Sequence, residues 1–342
     1  MHRPLIGLII LLFTLALTPG VVSATEPSTT GTMAGGIRYQ IPPWFKDSFL
    51  DIPEDLAEAE ASGRHVLLFL HLDECPYCAQ MLRESFTESD FVDQIQAHFD
   101  CIAINVRGDR EVALDAETSL SEKQLAELLK VRTTPTLLFL DADSNPVLRI
   151  NGYRSPRAMK TALDYVQNTA YKTSTLPEYA ATLERPPVYE LRDDPLFLQV
   201  TDLSALGAKP VAVLFEDDDC DECDRFHDRQ LKDPEIRATL AGFDLVQLDA
   251  LSDQPIVDVN GNQTTPRAWA KSLALDYRPG LVLFDQGREI IRVDGMLNIF
   301  HLHQVLLFVA DGEYQNFPSY RDYSRARRQA LLDAGAVIDY AR

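Results

Sequence analysis

The chain has 342 residues, 46% of them hydrophobic and 25% charged, and carries a formal net charge of −20. That length exceeds what one core usually serves, and the apolar content excludes a chain too polar to fold. The negative charge argues against phosphate backbones and anionic lipid surfaces, so nucleic acid is not expected as a partner.

Residues 1–24 read as a secretory signal peptide. His2 and Arg3 form a basic start, residues 5–17 an apolar run, and Val22-Ser23-Ala24 a small-residue cleavage site. The apolar run is short against the roughly 20 residues of a membrane span, so cleavage and a periplasmic location are expected rather than a tether. Residues 25–45, rich in Ser, Thr, Gly and Pro, read as a flexible leader.

The first unit, residues 46–170, opens with an apolar strand at 66–70 that leads into Cys75-Pro76-Tyr77-Cys78 and a helix through residue 84. A second apolar segment follows at 101–106. Ser121-Glu122-Lys123-Gln124 then fits a capping box before Leu125, Leu128 and Leu129. Pro135 precedes the strand at 137–140, and Asp143-Ser144-Asn145 turns it back. Residues 171–205, with Pro177, Pro186, Pro187 and Pro195, read as a linker with at most short helices.

The second unit, residues 206–312, repeats the plan. Its strand at 211–215 runs into Cys220-Asp221-Glu222-Cys223, Thr265 caps a helix that Pro266 starts, and Pro279 precedes the strand at 281–284. Val66 falls on Val211, Cys75 on Cys220, Phe99-Asp100 on Phe243-Asp244, and Gly152 on Gly295. An ordered series at offsets of 143 to 145 residues is an internal duplication. Each unit therefore reads as α/β, a mixed central β-sheet flanked by helices. Residues 313–342 read as a C-terminal helical tail with Arg325, Arg327 and Arg328 on a partly solvated face.

Four of the five cysteines fall in the two C-x-x-C pairs, too few for a stapled scaffold and placed for reactive sulfur. A thiol attacks a disulfide only as thiolate, and a helix N-terminus stabilises that charge through its free amides. Cys75 is the expected nucleophile and Cys78 the resolving thiol, with Pro76 as the first helical residue. The context of Pro135 suits a cis peptide bond, and Thr134 would offer backbone groups to an extended substrate. No metal is expected there, because zinc needs about four ligands and the nearest histidine is His71. His71 could take the resolving thiol's proton or simply fill the strand end. No bound cofactor is required, since the cysteines carry the electrons. Cys101, in an apolar strand, is expected to be a buried core thiol.

The second dithiol is crowded by Asp217, Asp218, Asp219, Asp221, Glu222 and Asp224, which disfavour a neighbouring thiolate and raise the expected pKa of Cys220. Arg225 offsets part of this, and Arg278 takes the place before Pro279. Three readings stay open: a second redox centre, a mostly oxidised structural or binding pair, or a metal site of Cys220, Cys223 and His227 at helical spacing.

On the segments HVLLFLHLDECPYCAQM, VRTTPTLLFLDADSNPVLRINGYRSP and FPSYRDYSRARRQALLDAGAVID, the chain resembles the thioredoxin superfamily as a tandem of two thioredoxin-like domains. The first half is similar to the periplasmic SoxW-like thioredoxins of bacterial sulfur oxidisers. The resemblance implies an exported thiol–disulfide oxidoreductase that reduces or exchanges disulfides on exported partners, with a membrane thiol reductase as electron donor. It implies attacking, resolving and cis-proline roles for Cys75, Cys78 and Pro135, and for Cys220, Cys223 and Pro279. Pro76, Tyr77, Thr134 and Arg278 would join the substrate-binding surface. The rival classes are a disulfide oxidase or isomerase, and a redox-sensitive binding protein or chaperone. One departure stands out: the buried acid common six residues before the first cysteine is replaced by Phe69 and Leu214.

Overall fold

In the strand His65–His71 successive side chains alternate, so Leu67 and Phe69 enter one core while Val66, Leu68 and Leu70 enter another. Both faces are buried, which is why the run is apolar throughout. The computed structural model describes residues 30–340, and the signal peptide expected at 1–24 lies outside them. This strand pairs in parallel with Phe99–Asn105 and antiparallel with Thr136–Leu140, and Pro146–Asn151 completes the four-stranded sheet. The helices Pro76–Phe86 and Pro156–Gln167 close over Phe69, whereas Ile52–Ala61 and Glu122–Leu128 close over Leu68. Phe69, Phe86, Phe99 and Phe139 are fully enclosed. Truncating any of them to alanine should cost about 3–5 kcal/mol.

The second sheet repeats order and direction with Asp244–Asp249, Val211–Glu216, Gly280–Asp285 and Arg288–Val293. Even the irregularities correspond, since the closing hairpins shift register at Phe139/Leu140 and at Leu283/Phe284. The capping box at Ser121 forms as expected, and Thr265 caps the helix Pro266–Ser272. Two mixed sheets flanked by helices make the α/β tandem.

Three stretches differ from their expectation. Residues 30–45 are tied down: Thr32–Ala34 pairs in parallel with Val337–Asp339, and the Ile37 amide donates to the Glu74 carbonyl at 3.1 Å. Composition shows a polar leader but not which distant backbone satisfies it. Phe197 and Leu203, placed in the linker, are buried in the two cores of the second unit. The tail holds the helix Tyr320–Asp333, with Tyr323 buried against Phe308, and then adds the strand Val337–Asp339.

Candidate active site

The strand His65–His71 ends four residues before Cys75, which caps the helix Pro76–Phe86. Pro76 sits where a missing N–H leaves no bond unmade. The Cys78 amide donates to Cys75 Sγ at 3.1 Å, so the sulfur lies on the free amides of an eleven-residue helix. Cys75 and Cys78 form a disulfide. Across from it, Cys75 Sγ lies 3.5 Å from the Thr134 carbonyl oxygen and 3.4 Å from Thr134 Oγ1. The Thr134-Pro135 bond is cis, and the Pro135 carbonyl accepts from the Gly152 amide at 2.8 Å. Dithiol, proline loop and glycine loop therefore make one continuous face. Tyr77 packs on the adjoining cluster, and burial pushes its phenol up to about 12. Cys101 is buried, which raises its thiol well above the ordinary range.

Beneath the site lies a contact that the sequence reading missed. The Tyr39 hydroxyl donates to the Leu72 carbonyl at 2.7 Å and lies 2.7 Å from His71 Nδ1. One hydroxyl proton cannot serve both, so Nδ1 carries the hydrogen toward Tyr39. Burial depresses the His71 pKa. His71 is thus engaged by the N-terminal segment.

The second dithiol, also a disulfide, has a different frame. Residues 221–222 form a turn, and the helix Cys223–Arg225 starts only at the second cysteine, with Glu222 as its cap residue. The expected helix start therefore belongs to Cys223 and not to Cys220. The chain then widens into a π-helix, Phe226–Gln230. Its i→i+5 bonding breaks the spacing that would hold His227 over Cys223. His227 Nε2 instead lies 3.0 Å from Glu216 Oε1. Among the described residues no group of three His, Cys, Asp or Glu is placed to hold a metal ion.

Glu216 is fully buried and was not singled out from sequence, although an acid ending an apolar strand was a signal. It accepts from Gln247 Nε2 at 2.6 Å and from the Tyr189 hydroxyl at 3.1 Å, besides meeting His227. Tyr189, from the expected linker, forms one buried cluster with Cys220 and Cys223. The Val188 amide donates to the Asp218 carbonyl at 2.8 Å and draws this segment over the dithiol.

The acids around Cys220 do not act as an unopposed field. Asp217 meets Arg278 at 2.8 Å, Asp219 meets Arg157 and Arg185, Glu222 meets Arg225 at 2.8 Å, and Asp224 meets Arg192 at 3.0 Å. Burial raises the carboxyl pKa of both Asp217 and Glu222, partly opposed by Arg278 and Arg225. Sequence suggested one compensating arginine because the others lie far away along the chain. The Arg278 guanidinium is held by Asp217 and by the Leu275 and Tyr277 carbonyls, the latter at 3.0 Å each. The Arg278-Pro279 bond is cis, and Pro279 lines a small cavity with Tyr277, Gly295 and Met296. Tyr277 and Met296 belong to the same apolar cluster as Cys75 and Cys78.

A family model described as a thioredoxin-like domain matches the chain twice, over residues 52–167 and 199–310. No curated protein matches. Among solved structures the chain is similar to a thioredoxin-fold protein from Helicobacter pylori, with 20% identity and a TM-score of 0.33 over 41% of this chain and 90% of that one. It is also similar to a thioredoxin from Thermus thermophilus, with 22% identity and a TM-score of 0.28 over 46% of this chain and 99% of that one. A third is the DsbH oxidoreductase, with 16% identity and a TM-score of 0.27 over 46% and 96%.

Proposed function

The chain belongs to the thioredoxin-like domain family, and we propose that it works as an exported thiol–disulfide oxidoreductase that reduces disulfides on partner proteins through Cys75 and Cys78. The observation that carries this reading is the position of Cys75 Sγ, between the helix amides and the Thr134-Pro135 peptide. In the reduced protein the Cys75 thiolate attacks one sulfur of a partner disulfide. A mixed disulfide forms, and the partner's other sulfur leaves as thiolate and takes up a proton. Cys78, deprotonated, then attacks Cys75 Sγ, which closes the Cys75–Cys78 disulfide and frees the second partner thiol. Two electrons have passed to the partner, and a donor dithiol must return two. A membrane thiol reductase has the chemistry for that, and the leader sequence supports placing the protein in the periplasm. An origin in sulfur-oxidation metabolism follows from the SoxW-like resemblance alone.

Cys220 and Cys223 are read here as a slower pair that stays mostly oxidised, because Tyr189 covers it and no helix begins at Cys220. The deciding experiment is insulin reduction by wild type and by Cys75→Ser. Wild type should turn over and the variant should not; equal rates would sink the enzyme reading. Direction is settled by the reduction potential of the first pair, near about −270 mV for a reductant and about −120 mV for an oxidant. A mature N-terminus at Thr25 would support export.

A further inference from the structure

The exchange faces of the two domains are pressed together. In the first domain the face runs from Cys75 through Pro135 to Gly152. In the second, Tyr277, Pro279, Gly295 and Met296 line one cavity, so they form the corresponding face. Gly152 and Gly295 hold equivalent places in the duplication, and they meet. A Cβ added to Gly295 would lie 2.6 Å from the Asn151 carbonyl oxygen and 3.3 Å from Gly152 Cα. One added to Gly152 would lie 3.2 Å from Gly295 Cα. Contact between equivalent residues is the signature of an approximate two-fold axis, as in a self-complementary dimer interface.

Polar contacts surround this centre. Asn151 Nδ2 donates to Asp294 Oδ2 at 3.0 Å, and Arg154 lies 4.3 Å from the Tyr277 ring centre and donates to the Asp294 carbonyl at 3.1 Å. Arg225 lies 5.5 Å from the ring centre of Tyr153. At the rim Asp219 takes Arg157 and Arg185, while Asp221 accepts from Ser155. In this clamp both acids come from the second dithiol loop, and their partners come from the first domain and the segment after it. In this arrangement Cys75 is only 7% exposed and Cys78 not at all. Sulfur cannot attack a partner disulfide without an approach to within about 3–3.5 Å.

We propose that the second domain is a built-in occupant of the first domain's exchange face, and that a partner disulfide reaches Cys75 only when this occupant is displaced. The inference rests on the exchange reading above and adds its gate. Polar contacts between domains of one chain resemble transient interfaces, so opening is an accessible motion. Reactivity at Cys75 is then the intrinsic reactivity multiplied by the open fraction.

The test is the alkylation rate of Cys75 in the reduced full-length protein, located by mass spectrometry. Gly295→Val puts a wedge at the interface, since the atoms nearest its Cβ all belong to Asn151 and Gly152. It should speed alkylation by about tenfold or more. Asp219→Ala, and wild type moved from about 0.05 M to about 1 M salt, should each speed it several-fold by weakening the clamp. These two arms decide the matter if Gly295→Val does not fold by circular dichroism. Rates that stay equal in every arm overturn the occupancy, whatever the insulin turnover. Faster alkylation with turnover no better than Cys75→Ser upholds the occupancy and removes the exchange reading instead.

Discussion

The two dithiols share a sheet order, a strand register and a cis-proline, yet they differ where charge on sulfur is decided. At Cys75 the cysteine itself caps an eleven-residue helix, and the Cys78 amide donates to its Sγ. At Cys220 there is a turn, and the helix that follows lasts three residues before it widens. Spacing alone therefore does not activate a C-x-x-C pair; the position of the helix start does. The expected handicap of the second site, its acids, is largely answered by arginines. The position four residues before the first cysteine also contrasts: His71 in one unit, Glu216 in the other. A tyrosine from the segment preceding each domain, Tyr39 or Tyr189, meets it in both.

The largest expected effect is on turnover. Cys75→Ser should lower insulin reduction by about 10⁴-fold, whereas Cys220→Ser should lower it by less than about fivefold. Comparable losses would mean that the second pair is an obligatory relay, and the contrast between the sites would fail. Next, Glu216→Leu leaves His227, Gln247 and Tyr189 without their shared buried acceptor, and should destabilise the second domain by about 3–5 kcal/mol. His71→Phe should cost the first domain about 1 kcal/mol, the typical worth of one hydrogen bond. Trp44, in the segment before the first domain, stacks on Phe86 of that domain, and Trp269 lies in the second, so single-tryptophan variants report denaturant midpoints separately.

A smaller effect concerns the thiols. Ultraviolet titration of the reduced protein, with one pair at a time replaced by serine, should show the Cys75 thiolate forming at lower pH than that of Cys220. If Cys220 titrates lower, the helix-start argument is wrong.

The last effect is a pH dependence that His301 gives to the second domain. Burial lowers His301 to about 4, helped by Arg328, while the equivalent position in the first domain is Ala158. Above the unfolded value near 6.5 both states are neutral and stability is complete. As pH falls from there toward 4 the unfolded chain takes the proton first, so stability is lost, by about 2 kcal/mol at roughly pH 5. His301→Phe should flatten that slope in the Trp269 signal and leave the Trp44 signal unmoved.

Much of this was legible in one dimension. The strand at 66–70, the capping box at Ser121, the proline at the first helical position and the duplicated order depend on residues a few places apart. So did the identification of Cys75, Cys78 and Pro135 as one group, because spacing and the duplication marked them. The second dithiol departs from the repeated plan in a way the spacing does not show, since its helix starts only at Cys223 and widens at Phe226–Gln230. Tyr39 and Tyr189 escaped notice for another reason: each reaches its partner across 32 and 27 residues, through a segment whose composition reads as leader or linker.

The amino-acid order by itself determined two thioredoxin-like domains, their dithiols and the prolines that face them, since each is encoded by patterns within a turn of helix or a strand. Only the tertiary structure decided that the dithiol faces close on each other, that Glu216 lies buried beneath the second pair, and that arginines far along the chain answer its acids. Those outcomes depend on matching the shape and charge of surfaces gathered from distant segments, and no short window of sequence contains both sides of such a match.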